Sequence, residues 1–319
     1  MRFDLDDQQR DFATSLDGAL RAADVPAAVR AWAAGDTGPG RKVWATLAEL
    51  GVTALVVPEH HDGIAAHPVD LVVAAERLGY WGVPGPVSES IAVAPILLAD
   101  DQRCEGLASG ELIATVAMPP HVPRAVDADT AGLILLAGDG QVRDGTAGHP
   151  HQSVDPARRL FDVTAAGEAT AADTARAFEF GALATAAQLV GAGQAMLDAT
   201  VAYAKQRTQF GRLIGSYQAI KHKLADVHIA VELARPLVYG AALSLGADSP
   251  DTARDVSAAA AAAADAALLS ARSSLQAHGA IGFTQEHDLS LLLLRVQALR
   301  SAWGDATWHR RRVLEGLTR

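Results

Sequence analysis

A chain of 319 residues with 50% hydrophobic and 20% charged residues is globular rather than disordered. It is long enough to bury a large core, and two packed domains are the expectation for this length. The formal net charge of -10 argues against a nucleic-acid partner, although it leaves room for a local basic patch. Cys104 is the only cysteine, which excludes an intramolecular disulfide.

The N-terminus is acidic and lacks the apolar run that is typical of a signal peptide. No uninterrupted apolar stretch reaches the length that spans a bilayer. We therefore expect a cytoplasmic protein that has no membrane partner.

Residues 1–110 predict a helical domain made of short helices joined by Gly and Pro turns. Apolar residues recur at helical spacing between Trp44 and Leu50, and Gly51 is a plausible C-cap. The stretch from Asp70 to Leu78 repeats this pattern and is followed by Gly79.

Residues 111–172 predict a small β domain. Leu112–Ala117 and Gly132–Ala137 are short candidate strands, and prolines interrupt the stretch between them. Strands this few and short make a small sheet at most.

Residues 173–319 predict long, alanine-rich helices that pack as an antiparallel four-helix bundle. Apolar stripes at helical spacing run from Leu183 to Val201 and from Ile220 to Val231. The last helical region extends from about Asp288 to Leu317. The predicted fold is therefore mainly α, with a reduced β domain in the middle.

Four side chains between Tyr203 and Gln218 match the needs of a dinucleotide cofactor. Arg207 offers a planar fork for a phosphate, and Phe210 offers a ring for stacking. Gln209 and Gln218 offer neutral amides that donate and accept hydrogen bonds. The alternative is that Arg207 is a solvated charge in a turn that ends a helix.

A second candidate segment extends from Leu275 to Asp288. A predicted helix ends at Gly279, where glycine lets the backbone approach a ligand and exposes amide donors, and Gln276 adds a side-chain amide. The alternative is a Gly C-cap and a turn that joins two core helices.

Together the two segments and their helical context resemble the acyl-CoA dehydrogenase family over most of the chain. The quoted motifs are Trp44, Leu50-Gly51, Val57-Pro58-Glu59, Gly63, Glu76-Arg77-Leu78-Gly79, Arg207 to Gln218, and Gln276-Ala-His-Gly279-Ala-Ile-Gly282-Phe283-Thr284.

This resemblance implies an FAD cofactor that lies between subunits. Ala280 replaces the second glycine of the family's Gly-Gly pair, which makes the backbone approach tighter there. The implied contacts are Arg207 at the pyrophosphate, Phe210 at the adenine region, Gln209 and Gln218 as hydrogen-bonding amides, and Gln276, Gly279 and Ala280 at the ADP portion.

The family's catalytic base has no counterpart at either of its usual positions. One position falls on Trp303 or Gly304, and the other falls on Gly181. Asp305 is displaced and one methylene shorter than the usual glutamate. Glu179 lies about 200° around the helix from Gly181, so we expect it to be an ordinary charge in the first helical turn.

Residues 310–312, a run of three arginines, are expected to form a solvated charged helix end. The sequence assigns no catalytic residue and no metal ligand.

The segments that hold the flavin ring in this family are also missing between residues 111 and 172. The chain resembles the reduced subunit of actinobacterial heteromeric acyl-CoA dehydrogenases of steroid side-chain degradation. That resemblance implies an α2β2 heterotetramer with a full-length partner, which carries most of the acyl-CoA site, and an external electron-transfer acceptor. Two alternatives stay open: a self-sufficient homo-oligomer that uses Asp305 or Glu179 as its base, and an assembly scaffold without flavin.

Overall fold

The computed structural model describes residues 5–318 of the chain. The N-terminal part is helical, and a buried π-helical turn over Ser88–Val93 leads directly into α5. Its helices are α1 (Asp7–Ala22), α2 (Val25–Ala33), α3 (Gly38–Glu49), α4 (Pro68–Trp81), α5 (Ala94–Leu97) and α6 (Arg103–Ala108).

Local signals explain where these helices begin and end. Asp6 and Gln9 form a reciprocal capping box at the start of α1. Gly51 follows α3 with a φ of 76°, as the sequence predicted for a residue that terminates this helix.

Helix α4 continues past Gly79, the predicted stop, and ends at Gly82, whose φ is 70°. Gly79 is required for packing against α7, because a Cβ placed on it would lie 2.1 Å from the carbonyl oxygen of Gln188. Gly191 on α7 is required for the same contact, since a Cβ placed on it would lie 1.9 Å from the carbonyl oxygen of Glu76 on α4. Two glycines thus let α4 and α7 cross at close range.

The middle of the chain forms a five-stranded sheet in the order β1-β3-β4-β5-β2. Only the β1–β3 pair is parallel. The two candidate strands are confirmed as β1 and β3. The long β4–β5 hairpin was not predicted, because its residues are mostly exposed and polar or small. The strands are β1 (Ala114–Ala117), β2 (Ala125–Val126), β3 (Leu133–Gly138), β4 (Gln141–His151) and β5 (Leu160–Ala171).

The C-terminal part is a helical bundle built around α7, which confirms the predicted mainly α fold. The predicted helix from Asp288 to Leu317 is wrong in one respect, because it is broken between Leu299 and Ala306. Gly304 has a φ of 96° there, and the Asp305 side chain caps the next helix. The helices are α7 (Thr174–Ala204), α8 (Gln218–Gly246), α9 (Thr252–His278), α10 (Leu289–Leu299) and α11 (Ala306–Leu317).

Two of these helices, α7 and α8, are long and apolar enough to cross a membrane by length and average composition alone, although polar side chains interrupt both. The apolar window of α7 is 94% buried within the bundle, and that of α8 is 39% buried. The hydrophobicity of α7 is thus explained by its place at the centre of the core.

Candidate cofactor site

The first candidate segment folds into a tight hairpin after α7. Strand β6 (Thr208–Gln209) pairs with β7 (Arg212–Leu213), and the two residues between them have φ values of 51° for Phe210 and 80° for Gly211. Two consecutive residues with positive φ are typical of a type I′ turn. Glycine adopts this conformation freely, but a bulky side chain such as that of Phe210 is strained in it.

Contacts at the base of the hairpin hold it in place. The Tyr217 hydroxyl donates a hydrogen bond of 3.2 Å to the carbonyl oxygen of Gln209. The Arg212 guanidinium lies over the Tyr217 ring, 3.8 Å from its centroid. As a result the Phe210 ring projects into solvent and is 92% exposed.

The second candidate segment begins where α9 ends at His278. Gly279 caps this helix with φ 67° and ψ -144°, a backbone conformation almost restricted to glycine. The capping role left open by the sequence is therefore real. A Cβ on Gly279 would meet no other atom within 4 Å, and both Gly279 and Ala280 are exposed, so the backbone here is accessible.

Two contacts bring the segments to the same end of the bundle. The Tyr203 ring, near the end of α7, stacks on the His278 ring with 4.2 Å between centroids and an interplanar angle of 22°. Lys223 on α8 donates a hydrogen bond from Nζ to Oε1 of Gln276 on α9. All seven predicted cofactor residues are exposed at this end: Arg207, Gln209, Phe210, Gln218, Gln276, Gly279 and Ala280.

This end of the bundle is also basic, which the sequence analysis overlooked. Five cations and no carboxylate lie between residues 205 and 223, although the chain as a whole is acidic. The flanking arginines, Arg176 and Arg235, form ion pairs. Within residues 5–318 none of the five does, so their charges are available to an anion. The five are Lys205, Arg207, Arg212, Lys221 and Lys223.

The sequence alone indicates this basic stretch, because three of the four lysines of the chain lie in it. Lys223 and Tyr203 are the residues that sequence reasoning missed. Their contacts to α9 depend on how the helices pack, which a single sequence does not display.

Gly181 and Trp303, two of the positions at which the resemblance predicts a missing catalytic base, lie against each other. A Cβ placed on Gly181 would come within 2.6 Å of Cε3 of Trp303. The Trp303 side chain is 1% exposed and also contacts the Phe178 ring, with 5.7 Å between centroids. The indole therefore fills the space in front of Gly181.

The two neighbouring carboxylates are committed to structural contacts. The Asp305 side chain accepts a hydrogen bond of 2.8 Å from the backbone N–H of Trp308 and caps α11. Glu179 is buried and forms a bidentate ion pair with Arg312. The expectation of an ordinary first-turn charge at Glu179 is thus wrong, as is that of a solvated charge at Arg312, because side chains of α11 reach α7 here.

Further aromatic rings extend this packing towards the sheet. His121, in the loop after β1, lies against the Trp308 ring with 4.1 Å between centroids. The buried His309 ring bridges Ser257 Oγ at 3.2 Å and the carbonyl oxygen of Trp303 at 3.0 Å. Burial lowers the pKa of His309 to about 4, with a further lowering by the Arg312 charge.

Trp303 thus belongs to a packing cluster, which we call the aromatic plug, that lies against Gly181. It consists of His121, Phe178, Trp303, Trp308, His309 and Arg312. Within residues 5–318, no group of three or more His, Cys, Asp or Glu side chains is placed to hold a metal ion.

Comparison with known proteins accounts for this architecture. Residues 6–101 match the N-terminal domain of acyl-CoA dehydrogenases, and residues 171–318 match the C-terminal domain. The acyl-CoA dehydrogenase IpdE2 of Mycolicibacterium smegmatis is 35% identical over 296 residues, which cover 90% of this chain and 92% of the relative.

Solved structures share the fold. The ChsE4-ChsE5 complex of Mycobacterium tuberculosis matches with a TM-score of 0.84 and 21% identity over 100% of this chain and 99% of the other. A variant of the Tcur3481-Tcur3483 steroid acyl-CoA dehydrogenase matches with a TM-score of 0.85 and 19% identity over 98% of each chain.

The chain belongs to the acyl-CoA dehydrogenase family, a family of FAD-binding oxidoreductases. The predicted family membership is thereby confirmed.

Proposed function

We propose that this chain is the non-catalytic subunit of a heteromeric, flavin-dependent acyl-CoA dehydrogenase of the cytoplasm. It holds the ADP half of an FAD, and a full-length family member supplies the pocket for the flavin ring, the catalytic base and most of the acyl-CoA site. The holoenzyme, an α2β2 assembly, introduces an α,β double bond into an acyl-CoA thioester and passes the electrons to an external acceptor.

The exposed groups at the end of the bundle that carries the β6–β7 hairpin, which we call the hairpin end, fit the ADP half of FAD. An unpaired guanidinium such as that of Arg207 suits a diphosphate, and the exposed Phe210 ring suits stacking on adenine. The amides of Gln209, Gln218 and Gln276 can both donate to and accept from ribose and phosphate oxygens. Bound FAD supplies the hydride acceptor, and this chain binds and orients the ADP half.

The observation that carries the proposal is the contact between Trp303 and Gly181. A base must stand within hydrogen-bond reach of the proton that it removes. The Trp303 indole fills the space in front of Gly181, and the neighbouring Asp305 and Glu179 are engaged in a helix cap and an ion pair. This arrangement disfavours a self-sufficient homo-oligomer.

The strained turn at Phe210 disfavours the second alternative, an assembly scaffold without flavin. A bulky residue with positive φ costs about 1–3 kcal/mol and persists where the site has a use for it. An exposed ring gains nothing from the protein core, so its retention is explained by a ligand. The structural neighbour Tcur3481-Tcur3483, a steroid acyl-CoA dehydrogenase, supports a steroid-derived acyl-CoA as the substrate class.

Co-expression with a full-length acyl-CoA dehydrogenase tests the proposal. We expect a complex that contains FAD and reduces an artificial acceptor with acyl-CoA, whereas the chain alone is colourless and inactive. Arg207→Met weakens FAD binding by the complex roughly ten- to hundredfold, as expected for the loss of a charge-assisted hydrogen bond.

Arg311→Met is the matched control, because Arg311 is exposed and forms no ion pair within the described residues. A yellow, active preparation of the chain alone overturns the heteromeric assignment. Unchanged FAD affinity in Arg207→Met overturns the assignment of this end as the cofactor site.

A further inference from the structure

The contact between Lys223 and Gln276 joins α8 to α9 at the cofactor end of the bundle. We propose that Lys223 is a positioning residue, which fixes the Gln276 amide so that its NH2 group faces the ADP moiety. This inference rests on the proposed function. It adds the residue that determines which end of the Gln276 amide is offered to the cofactor.

The chemistry of the two groups determines how the amide points. A lysine ammonium has three donors and no acceptor, so it can satisfy only the carbonyl end of the Gln276 side chain. The NH2 group is bonded to the same carbon as this oxygen but points in a different direction. It is therefore left free to donate to a ligand.

The pair also restricts a side chain that would otherwise be mobile. Gln276 is exposed, and a free glutamine at the surface populates many rotamers that ligand binding must then select. A fixed amide has already lost this freedom, so the cost of ordering on binding is smaller. The contact thus preorganises the site before the cofactor arrives.

Lys223 differs from its neighbour Lys221 in a way that supports this role. Lys223 is half-buried and contacts Gln276, whereas Lys221 is exposed and makes no side-chain hydrogen bond within the described residues. Neither residue pairs with a carboxylate in that part of the chain. Lys221 is therefore a matched control for a positive charge on the same helix.

A fixed NH2 donor suits a ligand that presents acceptor oxygens. The ribose and diphosphate of an adenosine diphosphate moiety provide them, and the ammonium of Lys223 adds a positive charge at the same end of the bundle. The amide with the opposite orientation would turn its oxygen towards the diphosphate and be repelled. Lys223 thereby favours an anionic, acceptor-rich ligand.

The test is a double-mutant cycle on the deflavinated complex, with the dissociation constant of FAD measured by fluorescence quenching. The variants are Lys223→Met, Gln276→Met, the double variant, Lys223→Arg and the control Lys221→Met. We expect Lys223→Met to weaken FAD binding about tenfold and Gln276→Met by at least as much. The double variant should bind no more weakly than Gln276→Met, because coupled groups are not additive. Lys223→Arg should stay within about twofold of the parent.

Two results overturn the inference. The first is a Lys223→Met affinity equal to that of Lys221→Met. The second is a double variant in which the two losses multiply, which means that Lys223 acts without Gln276. If the proposed function itself is wrong, the result differs: Arg207→Met and Gln276→Met both leave the FAD affinity unchanged. The thermal unfolding temperature of each apo complex serves as the folding control.

Discussion

The hairpin end of the bundle and the aromatic plug use similar residue types in opposite ways. At the hairpin end, Phe210 is 92% exposed in a strained turn, and Arg207 has no carboxylate partner within the described residues. In the plug, Trp303 is 1% exposed and Arg312 is paired with a buried glutamate. An exposed ring in a strained turn and a cation without a carboxylate partner indicate a binding site, whereas a buried indole and a paired cation indicate packing.

The largest effect that would test this contrast is on stability in the plug. Trp303→Ala removes a fully buried indole and should lower the free energy of unfolding by about 3–5 kcal/mol, measured by urea denaturation. Trp303→Phe, which keeps most of the volume and removes the unpaired indole N–H, should lose much less. Equal stability of the parent and Trp303→Ala would contradict the assignment of this residue to the core.

The pH dependence of stability should sharpen the same contrast. The folded chain keeps His309 neutral, because its pKa is lowered to about 4, while the unfolded chain takes up a proton near its ordinary pKa of 6.5. The contribution of neutral His309 to the free energy of unfolding is therefore fully present above pH 6.5 and is lost as the pH falls from 6.5 towards 4. The loss amounts to about 3 kcal/mol.

Urea denaturation across this pH window measures the slope, and His309→Gln should flatten it. A slope that is the same in both proteins would show that His309 is not the group that titrates.

The ion pair between α7 and α11 should give the next effect. Glu179→Gln leaves Arg312 without its carboxylate and should lower the free energy of unfolding by about 2 kcal/mol. If Glu179 were instead a catalytic base, the same substitution would abolish activity of the complex and leave stability nearly unchanged. The two measurements on one variant therefore separate the structural role from the catalytic role.

The smallest effect on stability is expected at the hairpin. Phe210→Asn removes the ring but keeps a residue that tolerates positive φ, so stability should stay constant or rise by up to about 1 kcal/mol. FAD affinity of the complex should fall about tenfold, because base stacking on an aromatic ring contributes about 1–3 kcal/mol. Phe210→Tyr, which keeps the ring, is the control. Loss of stability without loss of FAD affinity would reverse the comparison between the two regions.

Residue chemistry and helical spacing were sufficient for the fold class. Arg207, Phe210 and Gln276 were predicted as cofactor contacts from their chemistry and motif order, and the structure places all three at one end of the bundle. The long β4–β5 hairpin could not be predicted, because its exposed strands lack the apolar alternation that identifies a half-buried strand. The stop of α4 was misplaced at Gly79 because that glycine serves helix packing rather than capping.

By the resemblance of its motifs, the sequence alone determined the family of this protein. Helical spacing determined its mainly helical class, and side-chain chemistry identified residues that suit a dinucleotide. Only the tertiary structure decided that Trp303 fills the space in front of Gly181, that Glu179 pairs with Arg312 and that Lys223 contacts Gln276, 53 positions away. Such contacts depend on how distant helices pack, and packing is set by the shapes of all neighbouring side chains together.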